Sequence, residues 1–381
     1  MKVVFISNYL NHHQIPLSNA LYQQVHGRYR FIGTQPMTQE RMNLGWKVER
    51  TYPYEIHSYG TEEATAECKR LADHSDVVIV GSAVDDFMVD RLKAGKLTFK
   101  YSERFYKEGT PLKKFPRHLV SAWLHHGRFQ KYPLYMLCAS AYTAGDAARF
   151  GNYIGRCYKW GYFPETKHYD LESLLKNKKR TSLLWAGRLI DWKHPEYAIR
   201  AARRLKEEGY NFELNMVGTG AMEEELRAMV CQHDLGDVVH LLGSMPPEQV
   251  RTHMERAGIF LFTSDRQEGW GAVLNESMNS GCAVVACSAI GSVPFLVKDG
   301  INGETYPEGD FEAFYRKVKK LMDDVSLQER YGREAYRTIT EEWCAEVATE
   351  RFLKLAECLQ NGKDTPFEEG ACSKAEILKG V

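Results

Sequence analysis

The chain lacks several features, and each absence excludes a class of protein. Its 50 Lys and Arg residues balance 50 Asp and Glu residues, so no net positive charge draws it to nucleic acid. The nine cysteines show no Cys-x-x-Cys spacing, which argues against a zinc or thiol-redox site. The longest apolar runs fall well short of the roughly 18 to 20 residues that cross a bilayer. We therefore expect a folded cytoplasmic protein whose cysteines are free thiols.

The length and the periodicity predict two α/β domains. A chain of 381 residues is too long for one ordinary core. Short β-branched or aromatic runs alternate with amphipathic segments, a pattern typical of parallel sheets covered by helices. The predicted strands are Val3–Ser7, Tyr29–Gly33, Asp76–Val80, Leu97–Ser102, Tyr135–Ala139 and Cys157–Tyr162, then Ser182–Ala186, Phe212–Val217, Val238–Leu242, Ile259–Thr263 and Ala283–Ala286.

The polar stretch Lys167–Arg180 separates the two sets of strands and places a domain boundary near residue 165. We predict one Rossmann-like domain over residues 1–165 and a second over 166–344. Residues 345–381 are expected to form a last helix, Ala345–Leu359, and a loosely ordered tail after Gln360. Such folds bind ligands at the carboxyl ends of their strands, so the loops at those ends are the candidate site.

The loop after the predicted strand Ile259–Thr263 is the most informative of these. Gly269 and Gly271 flank Trp270 and allow the backbone to approach a ligand closely. A helix is predicted to begin near Ala272, and the free N–H groups of its first turn suit a diphosphate.

Two glutamates frame this helix start. Glu276 lies about four residues into the helix, on the order of 6 Å along its axis from the first amides. Its carboxylate can accept hydrogen bonds from both hydroxyls of a ribose. Glu268, on the loop, would face a transferred sugar instead. The alternative is that both are solvated surface glutamates.

Two cations occupy the corresponding loop after the predicted strand Ser182–Ala186. Arg188 offers a forked contact and Lys193 a point charge, and together they can bind a diphosphate and offset the charge of a departing group. The alternative is two ordinary surface cations. Gly218, in Val217-Gly-Thr-Gly, follows the next strand and predicts a tight turn with an indirect role.

Taken in this order, the motifs resemble the retaining glycosyltransferases of the GT-B fold, in particular family 4. The resemblance covers about Leu183 to Tyr306. It rests on the Glu-x7-Glu pair, the Gly-Arg…Lys loop, the Gly-Thr-Gly turn, and Ser280-Gly-Cys-Ala-Val-Val-Ala. It implies an α/β architecture of two facing Rossmann-like domains with parallel sheets, an acceptor domain followed by a donor domain, and a C-terminal return helix that packs on the first domain.

The same resemblance implies roles for the singled-out residues. Arg188 and Lys193 would contact the diphosphate of a nucleotide-sugar donor. Glu276 would bind its ribose and Glu268 the hydroxyls of its sugar, with the backbone at Gly271 and Ala272 close to the donor. The donor is expected to be a UDP-sugar. No metal ion and no separate cofactor is implied, in agreement with the lack of an Asp-x-Asp triplet.

The first half resembles the family only in general plan. Its first loop, Asn8–Gln14, lacks the glycines that many members carry there. His13, or its neighbour His12, is a candidate hydrogen-bonding or proton-handling group, although a loop histidine is often only solvated. Glu103, at the end of a strand, is a candidate acceptor-side base or sugar contact. The alternative is a structural ion pair with Arg104.

The region Lys96–Lys131 combines nine Lys or Arg residues with two acids and interleaved aromatic residues. Such a surface can lie on an anionic membrane at the inner face and reach a lipid-linked acceptor. A solvated face over core aromatics is the other interpretation.

We therefore predict a metal-independent retaining hexosyltransferase acting on a glycan or lipid-linked saccharide in polysaccharide biosynthesis. Front-face displacement, in which the leaving phosphate helps to deprotonate the incoming hydroxyl, requires no enzyme nucleophile. The alternatives are another enzyme on this scaffold, such as a sugar-nucleotide epimerase, and a non-catalytic protein that binds sugar nucleotides or glycans. A nicotinamide oxidoreductase is disfavoured because the first strand is not followed by Gly-x-Gly-x-x-Gly.

Overall fold

The computed structural model of the chain describes residues 1–39, 50–109 and 111–378. Two compact units are present. Unit 1 consists of Met1–Glu165 together with the segment that begins at Trp343, and unit 2 consists of Thr166–Glu342.

Unit 1 contains a seven-stranded parallel sheet. Its strands are β1 (Val3–Ser7), β2 (Tyr29–Gly33), β3 (Glu55–His57), β4 (Val77–Val80), β5 (Thr98–Ser102), β6 (Leu134–Cys138) and β7 (Cys157–Lys159). They are arranged in the order β3-β2-β1-β4-β5-β6-β7. The central strands β1 and β4 are fully buried and almost entirely apolar, as expected for a parallel sheet that is covered on both faces.

The helices in the first segment of unit 1 are α1 (Ile15–Gln24), α2 (Glu62–His74), α3 (Asp86–Lys93), α4 (Phe115–His125) and α5 (Thr143–Ala148). Local sequence explains several of their starts. The Thr61 side chain accepts a hydrogen bond from the Ala64 N–H at 3.1 Å and caps α2, and a proline occupies the first turn of α1 and of α4.

Unit 2 contains a six-stranded parallel sheet in the order β10-β9-β8-β11-β12-β13. Its strands are β8 (Lys179–Ala186), β9 (Glu213–Val217), β10 (Val239–Leu241), β11 (Ala257–Phe262), β12 (Ala283–Cys287) and β13 (Glu304–Tyr306). Its helices are α6 (Leu171–Lys176), α7 (Glu196–Glu207), α8 (Glu223–Gln232), α9 (Pro247–Arg256), α10 (Val273–Asn279), α11 (Val293–Leu296), α12 (Phe311–Asp323) and α13 (Val325–Arg337).

The last helix, α14 (Ala345–Gln360), returns to unit 1. Its Phe352 is fully buried, with ring centroids 5.3 Å from Phe99 and 5.7 Å from Trp160. The prediction of a loosely ordered tail after Gln360 is wrong for residues 361–378, and residues 379–381 lie outside the described part of the chain. Backbone hydrogen bonds join the tail to β7 at Cys157 and Lys159, and Cys372 is fully buried because this pairing carries it into the core.

The two helix-covered parallel sheets confirm the predicted α/β class with two Rossmann-like domains. All eleven predicted strands are present, with ends that differ by at most three residues. Among the described residues, two strands were missed, β3 and β13. Each begins with a glutamate, Glu55 or Glu304, that interrupts the apolar pattern, and Glu304 is buried.

Candidate functional site

The site in unit 2 begins with two neighbouring strands. Because β8 and β11 pair in parallel, the loops at their carboxyl ends lie side by side. The Asp265 N–H donates to the Trp192 carbonyl at 2.9 Å. The Thr263 hydroxyl donates to the Lys193 carbonyl at 2.7 Å and accepts from Trp185 Nε1 at 2.9 Å. The two loops are thereby fixed to each other.

Lys193 and Glu268 meet across these loops. The Lys193 ammonium forms an ion pair with Glu268 Oε2, and the Ser264 hydroxyl donates to the same carboxylate oxygen at 3.2 Å. The two side chains are only 12% and 13% exposed. A charged pair this shielded from water is electrostatically stronger than a surface pair, and each charge fixes the position of the other.

Arg188 lies beside this pair. Its guanidinium is 5.8 Å from the centroid of the Trp192 ring, and Lys193 Nζ is 4.9 Å from the same centroid. Arg188 is exposed, whereas the Lys193 side chain is largely shielded from solvent. The structure therefore brings both predicted cations to one edge of the sheet, next to the same tryptophan ring.

His194 is a residue of this loop that the sequence did not single out. Its backbone has a left-handed conformation, φ 47°, and its ring nitrogens lie 3.0 Å from Glu196 and 3.8 Å from Asp265. Contacts with Asp265 and then Glu196 raise the pKa of His194 to about 9, so the imidazole is cationic at neutral pH. A histidine between Lys193 and Pro195 with an acid two residues on was the available signal.

Two glycines permit the close packing of these loops. Gly218 has φ +137°, and a Cβ there would lie 1.8 Å from the Gly187 carbonyl oxygen. The predicted tight turn is thus packed directly on the loop that carries Arg188. Gly271 has φ +80°, and a Cβ there would approach the Phe262 ring to 2.4 Å and Glu268 Cγ to 3.1 Å.

Trp270 anchors the loop that carries Glu268. This side chain is fully buried, and its Nε1 donates to Asn275 Oδ1 at 2.9 Å. The Ser292 hydroxyl donates to the Trp270 carbonyl at 2.5 Å. The helix start expected near Ala272 is found, with Ala272 as the residue before α10, and Glu276 is half-buried in its first turn.

The two candidates in unit 1 meet through Tyr162. The Tyr162 hydroxyl donates to Glu103 Oε1 at 2.5 Å, and its ring stacks on His13 with centroids 6.0 Å apart. Glu103 also pairs with Lys107 at 2.5 Å, whereas Arg104 pairs with Asp146 at 3.7 Å. The alternative of a Glu103–Arg104 ion pair is therefore wrong.

His13 is neutral in this arrangement. Burial, and then the neighbouring His12, lower the pKa of His13 to about 3. At neutral pH the ring exchanges hydrogen bonds but is a weak base, which favours a hydrogen-bonding role over proton handling.

Within the described ranges, no group of three or more His, Cys, Asp or Glu side chains is placed to hold a metal ion. In the same part of the chain, no helix combines the length and the apolar character needed to cross a membrane.

Residues 167–338, which make up nearly all of unit 2, match the family described as Glycosyl transferases group 1. The amylovoran biosynthesis glycosyltransferase AmsK of Erwinia amylovora is 33% identical over 168 residues, or 43% of this chain and 40% of AmsK. The putative colanic acid biosynthesis glycosyltransferase WcaL of Salmonella typhimurium is 33% identical over 144 residues, or 36% of this chain and 35% of that protein. The similar part thus spans less than half of each relative.

The similarity to solved structures covers nearly the whole chain. The crystal structure of Alr3699/HepE from Anabaena in complex with UDP aligns with 95% of this chain and 100% of that one, with a TM-score of 0.67 and 16% identity. At this identity the likeness establishes the fold, and it confirms the GT-B architecture expected from the sequence. Assignment to family 4 stays a prediction.

Proposed function

We propose that the protein is a glycosyltransferase of polysaccharide biosynthesis that transfers a hexosyl group from a nucleoside diphosphate sugar to a hydroxyl. The main support is the juxtaposition of Lys193 and Glu268 at the carboxyl ends of β8 and β11, with Arg188 alongside. This site lies within the segment that matches Glycosyl transferases group 1, and the relatives AmsK and WcaL are named for the biosynthesis of amylovoran and colanic acid.

The chemistry assigns each side chain a role. Lys193 and Arg188 bind the diphosphate and stabilise the negative charge that develops on it as the glycosidic bond breaks. Glu268 accepts hydrogen bonds from the hydroxyls of the sugar and orients its anomeric carbon. Glu276, in the first turn of α10, binds the ribose, and Gly271 and Ala272 allow the backbone to approach the donor.

The ion pair has a specific consequence for donor binding. Without donor, Glu268 is the counterion of Lys193. When a diphosphate arrives, it competes with Glu268 for the ammonium, and the released carboxylate becomes available to the sugar hydroxyls. Donor binding and placement of Glu268 are thus one event.

Several finer features belong to the same proposal. The proposed donor is a UDP-sugar. Its support is that HepE, a protein of similar fold, was crystallised in complex with UDP. The reaction proceeds without a metal ion, and Arg188 and Lys193 supply the positive charge that supports the leaving diphosphate. Retention of anomeric configuration rests on the resemblance to family 4 and is part of the proposal. Unit 1 takes a glycan or lipid-linked acceptor, with Glu103, Tyr162 and His13 as its polar contacts. The cytoplasmic location inferred from the cysteines stays a prediction.

A binding and turnover experiment tests this function. Thermal unfolding is measured with UDP, ADP and GDP and their glucose conjugates, with EDTA present throughout. Saturation at about a hundred times the dissociation constant adds on the order of 2.7 kcal/mol to the unfolding free energy. We expect one nucleotide to stabilise the protein and Arg188→Ala to abolish that effect. Arg203→Ala is the matched control, because Arg203 is a half-exposed arginine of α7 whose ion pair, with Glu207, lies within that helix.

The sugar conjugate of the stabilising nucleotide is then incubated with saccharide acceptors, and the product linkage is read by NMR. A linkage with the anomeric configuration of the donor supports the proposal. Stabilisation without turnover would identify a binding protein, and conversion of the donor to an isomeric sugar nucleotide would identify an epimerase. An inverted product would rule out the retaining mechanism.

A further inference from the structure

Helix α4 presents its apolar side chains to solvent. Among the described residues, eleven large apolar side chains are exposed, and five of them lie on this one helix: Phe115, Leu119, Val120, Trp123 and Leu124. Trp123 is 59% exposed. Of the eleven residues of α4, only Ala122 is buried.

The exposed side chains form one continuous face. Phe115, Leu119 and Trp123 are spaced four residues apart and form a row along the helix, while Val120 and Leu124 form the adjacent row. An amphipathic helix of a globular protein normally turns such a face toward the core. Here the apolar face points outward, so burial in the fold does not explain it.

The C-terminal part of the helix is firmly attached to unit 1. Lys100 Nζ contacts Asp85 at 2.6 Å and donates to the His125 carbonyl at 3.1 Å. The His125 ring lies 2.9 Å from Asp85, and Asn152 donates to the Ala122 carbonyl at 3.4 Å. The apolar face is thus held in a defined position rather than being the loose end of a segment.

Within the segment that carries this face every charged side chain is a cation, although Lys114 pairs with Glu108 and Arg128 with Asp85 from outside the segment. From Pro111 to Lys131 the sequence contains no Asp or Glu, and it contains Lys113, Lys114, Arg117, Arg128 and Lys131. Lys113 and Arg117 are exposed. A second copy docked by two-fold symmetry would bring equal positive charges together, which disfavours a dimer through this face. An anionic surface would be attracted.

We propose that α4 lies in the interface of a bilayer that contains anionic lipids. The apolar rows enter the boundary between headgroups and acyl chains, and the flanking cations contact lipid phosphates. The broader expectation for Lys96–Lys131 is thereby narrowed to one helix. This inference does not depend on the proposed sugar transfer, because lipid binding is measured without donor or acceptor.

Vesicle cosedimentation tests the apolar contribution. The protein is mixed with vesicles of phosphatidylcholine alone or of an equimolar mixture with phosphatidylglycerol. We expect binding to the anionic vesicles, and a loss of about tenfold or more in the partition coefficient for the triple variant Leu119→Ser, Val120→Ser, Trp123→Ser. The control Ile301→Ser, Val325→Ser removes side chains that are 55% and 50% exposed in unit 2, and it should bind like the wild type.

The electrostatic contribution and the depth of insertion have their own measurements. The double variant Lys113→Gln, Arg117→Gln should bind anionic vesicles more weakly, and its binding should depend less on salt concentration. Tryptophan emission should shift to the blue on anionic vesicles in the wild type and shift less in Trp123→Phe. A thermal midpoint equal to that of the wild type verifies folding of each variant.

Absence of binding to anionic vesicles, or equal binding by the triple variant, would overturn the proposal. So would a dimer in sedimentation velocity that the triple variant dissociates, since α4 would then be a self-interface.

Discussion

At the scale of single residues, the site depends on charges that neutralise one another before any ligand is present. Lys193 and Glu268 are both poorly exposed, so leaving either one unpaired would cost free energy. Their pairing holds both side chains in place. The same pairing gives the two residues different expected mutational effects, although they are in direct contact.

Glu268→Gln should lower kcat by about a hundredfold or more, because a neutral amide orients and stabilises the reacting sugar less well. It should leave UDP affinity unchanged or make it tighter, because Lys193 no longer has a competing carboxylate. Steady-state kinetics and calorimetric titration measure the two effects. Glu213→Gln is the control, since Glu213 forms a comparable ion pair with Lys179 where β8 and β9 begin. If Glu268→Gln binds UDP more weakly while Glu213→Gln binds it normally, Glu268 does not compete with UDP for Lys193.

His194 predicts a pH-dependent stability. Its pKa is raised to about 9 in the folded protein from an ordinary value near 6.5, so its ion pairs stabilise the fold fully below about pH 6.5. That stabilisation is lost as the pH rises through about 9. Because the side chain is 35% exposed, we expect only about 1 kcal/mol after allowance for solvent screening.

Urea unfolding of wild type and His194→Asn at pH 6 and pH 10 measures this difference. Asparagine tolerates the left-handed backbone, so the comparison isolates the charge. The variant should be less stable at pH 6 and similar to wild type at pH 10. An equal deficit at both pH values would show that packing, and not charge, is lost.

At the scale of elements, the closeness of the β8 and β9 loops requires a position without a side chain. Gly218→Ala would force a Cβ against the Gly187 carbonyl and should destabilise the protein by about 3 kcal/mol or prevent folding. Gly209→Ala is the matched control, because Gly209 also has positive φ, yet a Cβ added there would meet no atom within 4 Å. It should cost about 1 kcal/mol. Urea midpoints compare the two variants, and equal losses would show that backbone strain alone decides.

The strand positions were predictable because each long strand is a largely apolar run, which burial in a parallel sheet requires. Strands β3 and β13 were not, since each is short and begins with a glutamate, Glu55 or Glu304, so neither is an apolar run. The candidate site was predictable as a set of loops. The contact between Lys193 and Glu268 was not, because it joins residues 75 apart and depends on β8 and β11 being neighbours. His194 was missed because one of its two partners, Asp265, comes from a different loop.

At the scale of the whole molecule, unit 1 is built from two distant segments of the chain. Phe352→Ala on α14 removes a ring packed on Phe99 and Trp160, and should destabilise unit 1 by about 3 to 5 kcal/mol. Hydrogen exchange should then accelerate in β1, β4 and β5 while β8 and β11 remain protected. Phe314→Ala, fully buried in unit 2, should give the reverse pattern. Uniform acceleration by either variant would mean that the chain unfolds as one cooperative body.

The tail that follows α14 has a consequence for solubility. Strand β7 lies at the end of its sheet, where unpaired backbone groups can recruit a strand from another molecule. The tail occupies those groups: Lys159 donates to the Ser373 carbonyl at 2.8 Å, Cys372 donates to the Lys159 carbonyl at 2.7 Å, and Ala375 donates to the Cys157 carbonyl at 3.0 Å. The tail thus covers the edge strand β7. A protein shortened to end at Asn361 would expose the unpaired backbone groups of β7, and we expect it to aggregate more readily.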